Sequence, residues 1–201
     1  MLDTENKILK KSSELFFQHG LRSVSIDEIC SNLRISKKTF YKYFNRKDVL
    51  IEKILINIEQ SKKKYFDELI NKEDNNAIDI LFEFFSKYKG MHKDKFTNFA
   101  RDLDKFYPHL SKENDNRIII ILTDFFTSIL QKGIEENLFR EEIDIEITAQ
   151  MLSSHITSLI KFSSKSKVPI NKISSYYCDF IVRAIATDTG LDYYLNNKDK
   201  R

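Results

Sequence analysis

The sequence predicts an all-α protein of about nine helices. Only 4 Gly and 2 Pro occur in 201 residues, too few for the turns of a many-stranded sheet. The hydrophobic fraction of 41%, with 16 Phe and 9 Tyr, argues against a disordered chain. Apolar residues recur at helical spacing along most of the chain. We therefore expect packed helices joined by short loops.

Several classes of protein are disfavoured by simple features of the sequence. The longest aliphatic run, residues 118–122, is far shorter than the ~20 apolar residues of a membrane span. The N-terminal residues lack the apolar segment of a secretory signal. Cys30 and Cys178 could form one bridge at most, which is no disulfide framework. We therefore expect a cytoplasmic protein that does not bind membranes.

The basic residues are concentrated near the N-terminus. Residues 1–55 carry 11 Lys or Arg and 7 Asp or Glu, a net charge of +4. Residues 56–201 carry 22 and 23, a net charge of −1. Residues 34–47 hold six basic side chains and no acidic one. Such a patch indicates binding to a polyanion, although a solvated helix face is the alternative.

The first two predicted helices have clear end signals. Helix 1 covers about residues 4–19 and ends before Gly20. Helix 2 begins after Ser25, which forms a capping box with Glu28. Val24 and Ile29 flank this cap as a hydrophobic staple. Helix 2 is expected to extend to about residue 33.

The third predicted helix is short and basic. It covers about residues 37–43 after a Ser36 cap, and Phe40 and Phe44 form its apolar side. The turn before it is about residues 34–36. Two helices joined by a turn of three or four residues, the second short and basic, are typical of the helix-turn-helix motif.

The residues predicted to contact nucleic acid have hydroxyl or ammonium groups on or beside this motif. The first turn of the second helix enters a major groove, and the residues after it can reach phosphates. The predicted set is Ser25, Ser36, Lys37, Lys38, Thr39, Tyr41, Lys42, Tyr43 and Lys47. For the two tyrosines, half-buried packing is the alternative.

Residues 8–51 resemble the DNA-binding domain of TetR-type transcriptional regulators. The resemblance is carried by Leu15-Phe16, Gly20, residues 25–29, residues 36–44 and residues 47–50. Cys30 stands where the family commonly has Ala. The resemblance implies two domains, a three-helix DNA-binding domain at residues 1–50 and a helical effector-binding and dimerisation domain at residues 51–201.

Six further helices are predicted after the motif. They cover about residues 47–70, 77–89, 93–106, 111–138, 144–164 and 169–189. The five aliphatic residues at 118–122 could form a buried strand, but the apolar spacing around them favours a helix. Pro108 is expected to end a helix, and Gly190 to cap the last one.

The last two predicted helices carry more apolar residues than one chain can easily bury. The resemblance implies that they pair with a second copy in a four-helix dimer interface, which would present two recognition helices to a palindrome. The predicted interface residues are Leu152, Ile156, Leu159, Tyr177, Phe180, Ile181 and Ala184. The alternative is an intramolecular core.

The middle helices are rich in aromatic residues, and the resemblance implies a ligand cavity there. Its predicted lining is Phe82, Phe85, Phe99, Phe106, Phe125, Phe126, Met151 and His155. A small hydrophobic effector suits such walls. The alternatives are an ordinary aromatic core and, for His155, a core histidine whose hydrogen bonds are satisfied.

These features predict a TetR-type regulator, most simply a repressor that a small hydrophobic ligand releases from a palindromic double-stranded DNA operator. No phosphate-binding loop, nucleophile motif or set of metal ligands is apparent, so we expect no enzyme activity, metal or cofactor. The alternative is a helical protein that binds a small molecule or partner without a DNA role.

Overall fold

The computed structural model describes the backbone of residues 2–87, 93–165, 168 and 170–198. Side chains are described in these ranges except at residues 2, 93–97, 160–165 and 170. Ten helices occur in this part of the chain, together with one isolated bridge between Phe139 and Ala186. The all-α prediction is therefore confirmed. The helices are α1 (Leu2–His19), α2 (Ile26–Leu33), α3 (Lys37–Tyr41), α4 (Lys47–Ile70), α5 (Ala77–Ser86), α6 (Lys93–Phe106), α7 (Pro108–Glu135), α8 (Ile145–Lys165), α9 (Ile170–Ile185) and α10 (Asp188–Asn197).

Most predicted helix ends lie within a few residues of the observed ones. The recognition helix α3 ends at Tyr41, two residues before its predicted end. Pro108 separates two helices as expected and is itself the first residue of α7. The predicted end at residue 89 and start at residue 169 lie outside the described residues.

The chain forms two compact units. The first contains residues 1–61 and 92–116, and the second contains residues 62–91 and 117–201. Two of the three unit boundaries fall inside α4 and α7. The division into domains at residues 50 and 51 remains a prediction based on the resemblance.

The first unit buries one apolar core. Phe16, Ile29, Phe40 and Leu50 come from α1, α2, α3 and α4, and all four are fully buried. Phe99 on α6 joins them and stacks on Phe17 with ring centroids 4.5 Å apart. The short helix α3 is therefore held by packing, since a helix of this length is unstable alone.

The second unit has a core dominated by aromatic rings. Phe66 stacks on Phe125 with centroids 4.4 Å apart, and Phe84 lies 5.1 Å from Phe125. The aliphatic run at residues 118–122 belongs to α7, so the prediction of a helix there is confirmed.

The last predicted helix is in fact two helices, α9 and α10. The α9 helix ends at Ile185 because the chain then pairs with the segment after α7. The amide of Arg140 donates to the Ile185 carbonyl at 2.9 Å, and that of Thr187 donates to the Leu138 carbonyl at 3.0 Å. Thr187 then caps α10 by accepting a hydrogen bond from the Gly190 amide. The prediction that Gly190 ends a helix was wrong.

Close packing requires glycine at two helical positions. A Cβ atom on Gly190 would overlap the Leu138 carbonyl, and one on Gly133 in α7 would overlap the ring of Phe139. Both contacts lie where the chain turns from α7 towards Phe139. The two glycines therefore let this turn pack tightly against α7 and α10.

Candidate nucleic-acid interface

The α2–turn–α3 segment has the geometry of a helix-turn-helix. Arg34 follows α2 with φ +55°, a left-handed conformation, and its amide donates to the Ser31 carbonyl at 3.2 Å. The Ile35 amide donates to the Cys30 carbonyl at 3.0 Å. These bonds end α2 and turn the chain sharply, so that α3 begins at Lys37. Cys30 itself is buried, and burial raises the pKa of its thiol.

Serine hydroxyls cap both helices of the motif. The Ser25 hydroxyl accepts a hydrogen bond from the Glu28 amide at 3.1 Å, which confirms this half of the predicted capping box. The Ser36 hydroxyl accepts from the Thr39 amide at 3.0 Å and lies 2.9 Å from the Thr39 hydroxyl. Ser25 and Ser36 therefore define where the helices start, whatever else they contact.

The side chains of α3 separate into a buried and an exposed set. Phe40 and Phe44 are buried, with ring centroids 5.9 Å apart. Thr39 and Tyr43 are half-buried. The exposed side chains, which we call the basic surface, are Lys37, Lys38, Tyr41 and Lys42. The motif thus presents three ammonium groups and a phenol from one short helix and its C-cap residue, Lys42.

One lysine of the basic surface has an acidic partner. The Lys37 ammonium lies 2.7 Å from the Asp27 carboxylate in the first turn of α2. Their hydrogen bond is the main cause that raises the pKa of Lys37. The pairing of Asp27 could not be predicted from the sequence, because a pair ten positions apart on two helices has no periodic signal.

Lys47, which is predicted to contact a phosphate, has its hydrogen-bond partners inside the first unit. Its ammonium donates hydrogen bonds to the backbone carbonyls of Leu21 and Val24, and it lies 5.3 Å from the centroid of the Phe16 ring. Burial lowers the pKa of Lys47. These carbonyls, between α1 and α2, need a donor inside the unit, and Lys47 supplies it. Lys47 is a structural lysine in this fold.

The same α1–α2 turn is held by an acidic residue far away in sequence. The Asp102 carboxylate on α6 accepts a hydrogen bond from the Arg22 amide at 3.1 Å. It also lies 2.6 Å from where a Cβ of Gly20 would be, and Gly20 has φ +86°. The guanidinium of Arg22 lies 5.1 Å from the centroid of the Phe106 ring. Since Asp102 lies 80 residues from Arg22, no local pattern could have indicated it.

The predicted ligand-pocket residues divide between the two units. Phe99 and Phe106 belong to the first, where Phe99 stacks on Phe17 and Phe106 lies beside Arg22. In the second unit, Phe85, Phe125 and Phe126 are buried, and Phe82 stacks on Tyr194. The eight residues therefore do not form one cluster.

Met151 and His155 face outwards. Met151 is 54% exposed, and His155 is also exposed, with its Nδ1 atom 3.0 Å from the Tyr177 hydroxyl. Their neighbours Leu152 and Ile156 are buried instead, and the role of Met151 and His155 as pocket lining remains a prediction. Apolar residues occur on more than one side of α8, so their spacing did not indicate which side is buried.

The predicted dimer residues divide into a buried and an exposed group. Leu152, Ile156, Tyr177 and Ile181 are buried in the core of the second unit, and Leu159 packs partly against it. Phe180 and Ala184 are exposed. Outward-facing residues at four-residue intervals form a surface that we call the α8–α9 face, and these are Ile147, Met151, His155, Tyr176, Phe180 and Ala184.

Other kinds of site find little support in the part of the chain that the structure describes. There, no group of three His, Cys, Asp or Glu residues could hold a metal ion. Among the same residues, no helix is both long and apolar enough to span a membrane. The described surface with the clearest chemical character is the basic one, and the motif that carries it is of a DNA-binding class.

Comparisons with known proteins agree with this class. The family model of bacterial regulatory proteins of the tetR family matches residues 8–54. The regulator UidR of Escherichia coli K12 is 31% identical over 80 residues, which cover 40% of each chain. The negative regulator IcaR of the biofilm operon icaADBC in Staphylococcus epidermidis is 27% identical over 85 residues, covering 42% of this chain and 44% of IcaR.

The fold is also found in solved structures. A transcriptional regulator from Cytophaga hutchinsonii superposes with a TM-score of 0.76 at 18% identity, over 90% of this chain and 97% of the other. Residues 8–54 therefore match the DNA-binding domain of the tetR family of bacterial regulatory proteins. The sequence matches span less than half the length of the curated relatives. These relatives are transcriptional regulators.

Proposed function

We propose that the protein is a DNA-binding transcriptional regulator that represses its target genes from the cytoplasm. The observation that carries the proposal is the basic surface on a capped, tightly packed α3. Exposed ammonium groups supply phosphate and base contacts, and the buried Phe40 and Phe44 fix where those groups lie. The negative regulator IcaR, matched over 44% of its length, supports repression as the direction.

We further propose that the working form is a homodimer joined through the α8–α9 face. Tyr176 is 76% exposed, Phe180 and Ile147 are 57% exposed, and Met151 is 54% exposed. Large apolar side chains exposed at regular spacing on two helices suit association with another protein. The proposed function requires that the partner at this face is a second copy of the chain, because two recognition helices about 34 Å apart can read a palindromic operator.

The proposed effector is a small hydrophobic molecule that binds among the aromatic rings of the second unit. Of the predicted lining, Phe82, Phe85, Phe125 and Phe126 remain in the proposal, because they lie in one core cluster with its partly buried neighbours. An effector that favours a conformation with low DNA affinity weakens DNA binding by a certain factor. DNA must weaken effector binding by the same factor. Titration of candidate effectors into a DNA-binding assay tests this part, and unchanged affinity throughout would refute it.

The DNA-binding proposal can be tested on the DNA upstream of the protein's own gene. Binding measured at several salt concentrations should show a steep salt dependence, since lysines release counterions from phosphates. Replacing Lys38 or Lys42 with Gln should reduce the salt slope by about one. The same change at Lys63, exposed on α4 in the second unit, is the matched control and should leave the slope unchanged.

The alternative function, a helical binding protein without a DNA role, makes the opposite prediction. Such a protein would bind this DNA no more tightly than an unrelated duplex of equal length. Any weak binding would respond equally to the Lys42 and Lys63 substitutions. Either result would contradict the proposed function.

A further inference from the structure

We propose that Asp27 determines the specificity of the DNA interface by holding the ammonium group of Lys37 in place. The pairing withholds Lys37 from DNA of arbitrary sequence and presents it in one position to the operator. This inference rests on the proposed function. It assigns a role to an acidic residue inside a surface that otherwise attracts DNA through its positive charge.

The geometry places the pair within the exposed part of the motif. Lys37 Nζ lies 2.7 Å from Asp27 Oδ1, and the side chains are 60% and 65% exposed, respectively. Lys37 is the first residue of α3, the helix that bears the basic surface. Asp27 therefore acts on a lysine that is available to DNA.

The backbone around the pair is rigidly held. The Ile35 amide bonds to the Cys30 carbonyl, and the Ser36 hydroxyl caps α3. Ile29 and Phe40 are fully buried beneath the two helices. Because α2 and α3 are fixed to each other, Asp27 holds Lys37 at a defined point. The pair does not simply follow a flexible loop.

The pairing should affect the two kinds of DNA complex differently. On DNA of arbitrary sequence, lysines bind phosphates wherever they meet them, and each contact releases a counterion. Lys37 must leave Asp27 to do this, and an exposed ion pair is worth up to about a fivefold change in an equilibrium constant. At an operator, a lysine already positioned for acceptor atoms on a base edge loses less side-chain freedom.

The test compares the wild-type protein with Asp27→Asn on two duplexes, an operator selected from random DNA and an unrelated sequence. The variant should bind the unrelated duplex about two- to fivefold more tightly, with a salt slope steeper by about one. The ratio of operator affinity to unrelated affinity should fall by a similar factor. Glu68→Gln is the matched control, since it makes the same charge change in an exposed pair with Lys64 in the second unit.

Two further variants decide whether Asp27 acts through Lys37. Asp27→Glu can still pair with the lysine and should keep the wild-type affinity ratio. In a Lys37→Met background, Asp27→Asn should no longer change the ratio, because the cation that it releases is missing. An equal change in that background would mean that Asp27 repels phosphates directly, and it would overturn the inference.

Failure of the inference and failure of the proposed function give different results. If the wild-type protein selects no sequence from random DNA, the proposed function is wrong and the inference falls with it. If it selects an operator and Asp27→Asn leaves the affinity ratio unchanged, the inference alone is wrong. Thermal unfolding of each variant shows that the compared proteins are folded.

Discussion

The two compact units expose surfaces of opposite character. In the first, α3 presents lysines around a buried Phe40, and one of them, Lys37, is paired with Asp27. In the second, α8 and α9 present Met151, Tyr176 and Phe180 to the outside. A charged surface suits binding to a polyanion, and that binding weakens as the salt concentration rises. An apolar face suits association with another protein, which salt affects little. DNA binding and dimerisation are thus proposed for different units, and variants can test each of the two functions alone.

The largest expected effect comes from a charge placed on the apolar face. Phe180→Glu should raise the dimer dissociation constant about a hundredfold or more, because an unpaired carboxylate buried in an interface costs several kcal/mol. Sedimentation equilibrium measures this constant. Ile120→Glu, at a residue 61% exposed on α7, is the matched control and should leave it unchanged. A Phe180→Glu protein that dimerises like the wild type would remove the α8–α9 face from the account.

The next effect separates a structural lysine from the lysines of the basic surface. Lys47→Met should lower the free energy of unfolding by about 2 kcal/mol, because the Leu21 and Val24 carbonyls lose a charged donor. Lys10→Met removes an exposed lysine of α1 and should change stability little. Urea denaturation measures both. Equal stability of the two variants would restore Lys47 as a candidate phosphate contact.

A pH-dependent effect is expected in the second unit. Burial raises the pKa of Tyr177 to about 12, above its ordinary value near 10. The folded state therefore keeps this proton after the unfolded state has lost it. Tyr177 contributes stability that is fully present below about pH 10 and is lost as the pH rises towards 12, with a slope of up to about 1.4 kcal/mol per pH unit.

Comparison of two tyrosine variants measures this contribution. Tyr177→Phe should lose stability less steeply than the wild type between about pH 10 and 12, since the titrating group is gone. Tyr176→Phe, at a residue 76% exposed, should follow the wild-type curve. Identical curves for both variants would mean that Tyr177 is not desolvated in the folded chain.

The smallest expected effects compare one buried serine in each unit. Within the described structure, the Ser12 hydroxyl is fully buried without a hydrogen-bond partner. The Ser153 hydroxyl is equally buried but bonds to the Ala149 carbonyl at 2.6 Å and to Thr123 at 2.9 Å. Ser12→Ala should therefore stabilise the protein by about 1 kcal/mol, whereas Ser153→Ala should destabilise it by a similar amount. The opposite signs can be read from thermal unfolding, and matching signs would contradict this assignment.

The sequence predicted the first unit better than the second, for a physical reason. Around α2 and α3 the helix starts are set by neighbouring residues such as Ser25 and Ser36, and one side of each helix is polar. The bonds of Lys47 and Asp102 were not predicted there, because their partners are backbone atoms distant in sequence. Local signals therefore indicated the position of the helices, but not the long-range bonds between them.

In α8 and α9 the apolar residues cover more than one side of each helix. Periodicity alone could not decide whether Met151 or Leu152 faces the core. The break before α10 was also missed, because it depends on pairing between Phe139 and Ala186, 47 residues apart. Both errors concern tertiary packing, which supplies information that helical spacing lacks.

The most direct test of the central claim is selection of binding sites by the full chain from a pool of random duplexes. If the protein reads DNA as a dimer, the selected sequences should be inverted repeats with half-site centres about one helical turn apart. Two chains should bind each duplex, and Phe180→Glu should weaken binding to the full site far more than binding to a half-site. Enrichment of no sequence, or of an asymmetric site bound by a single chain, would contradict the account.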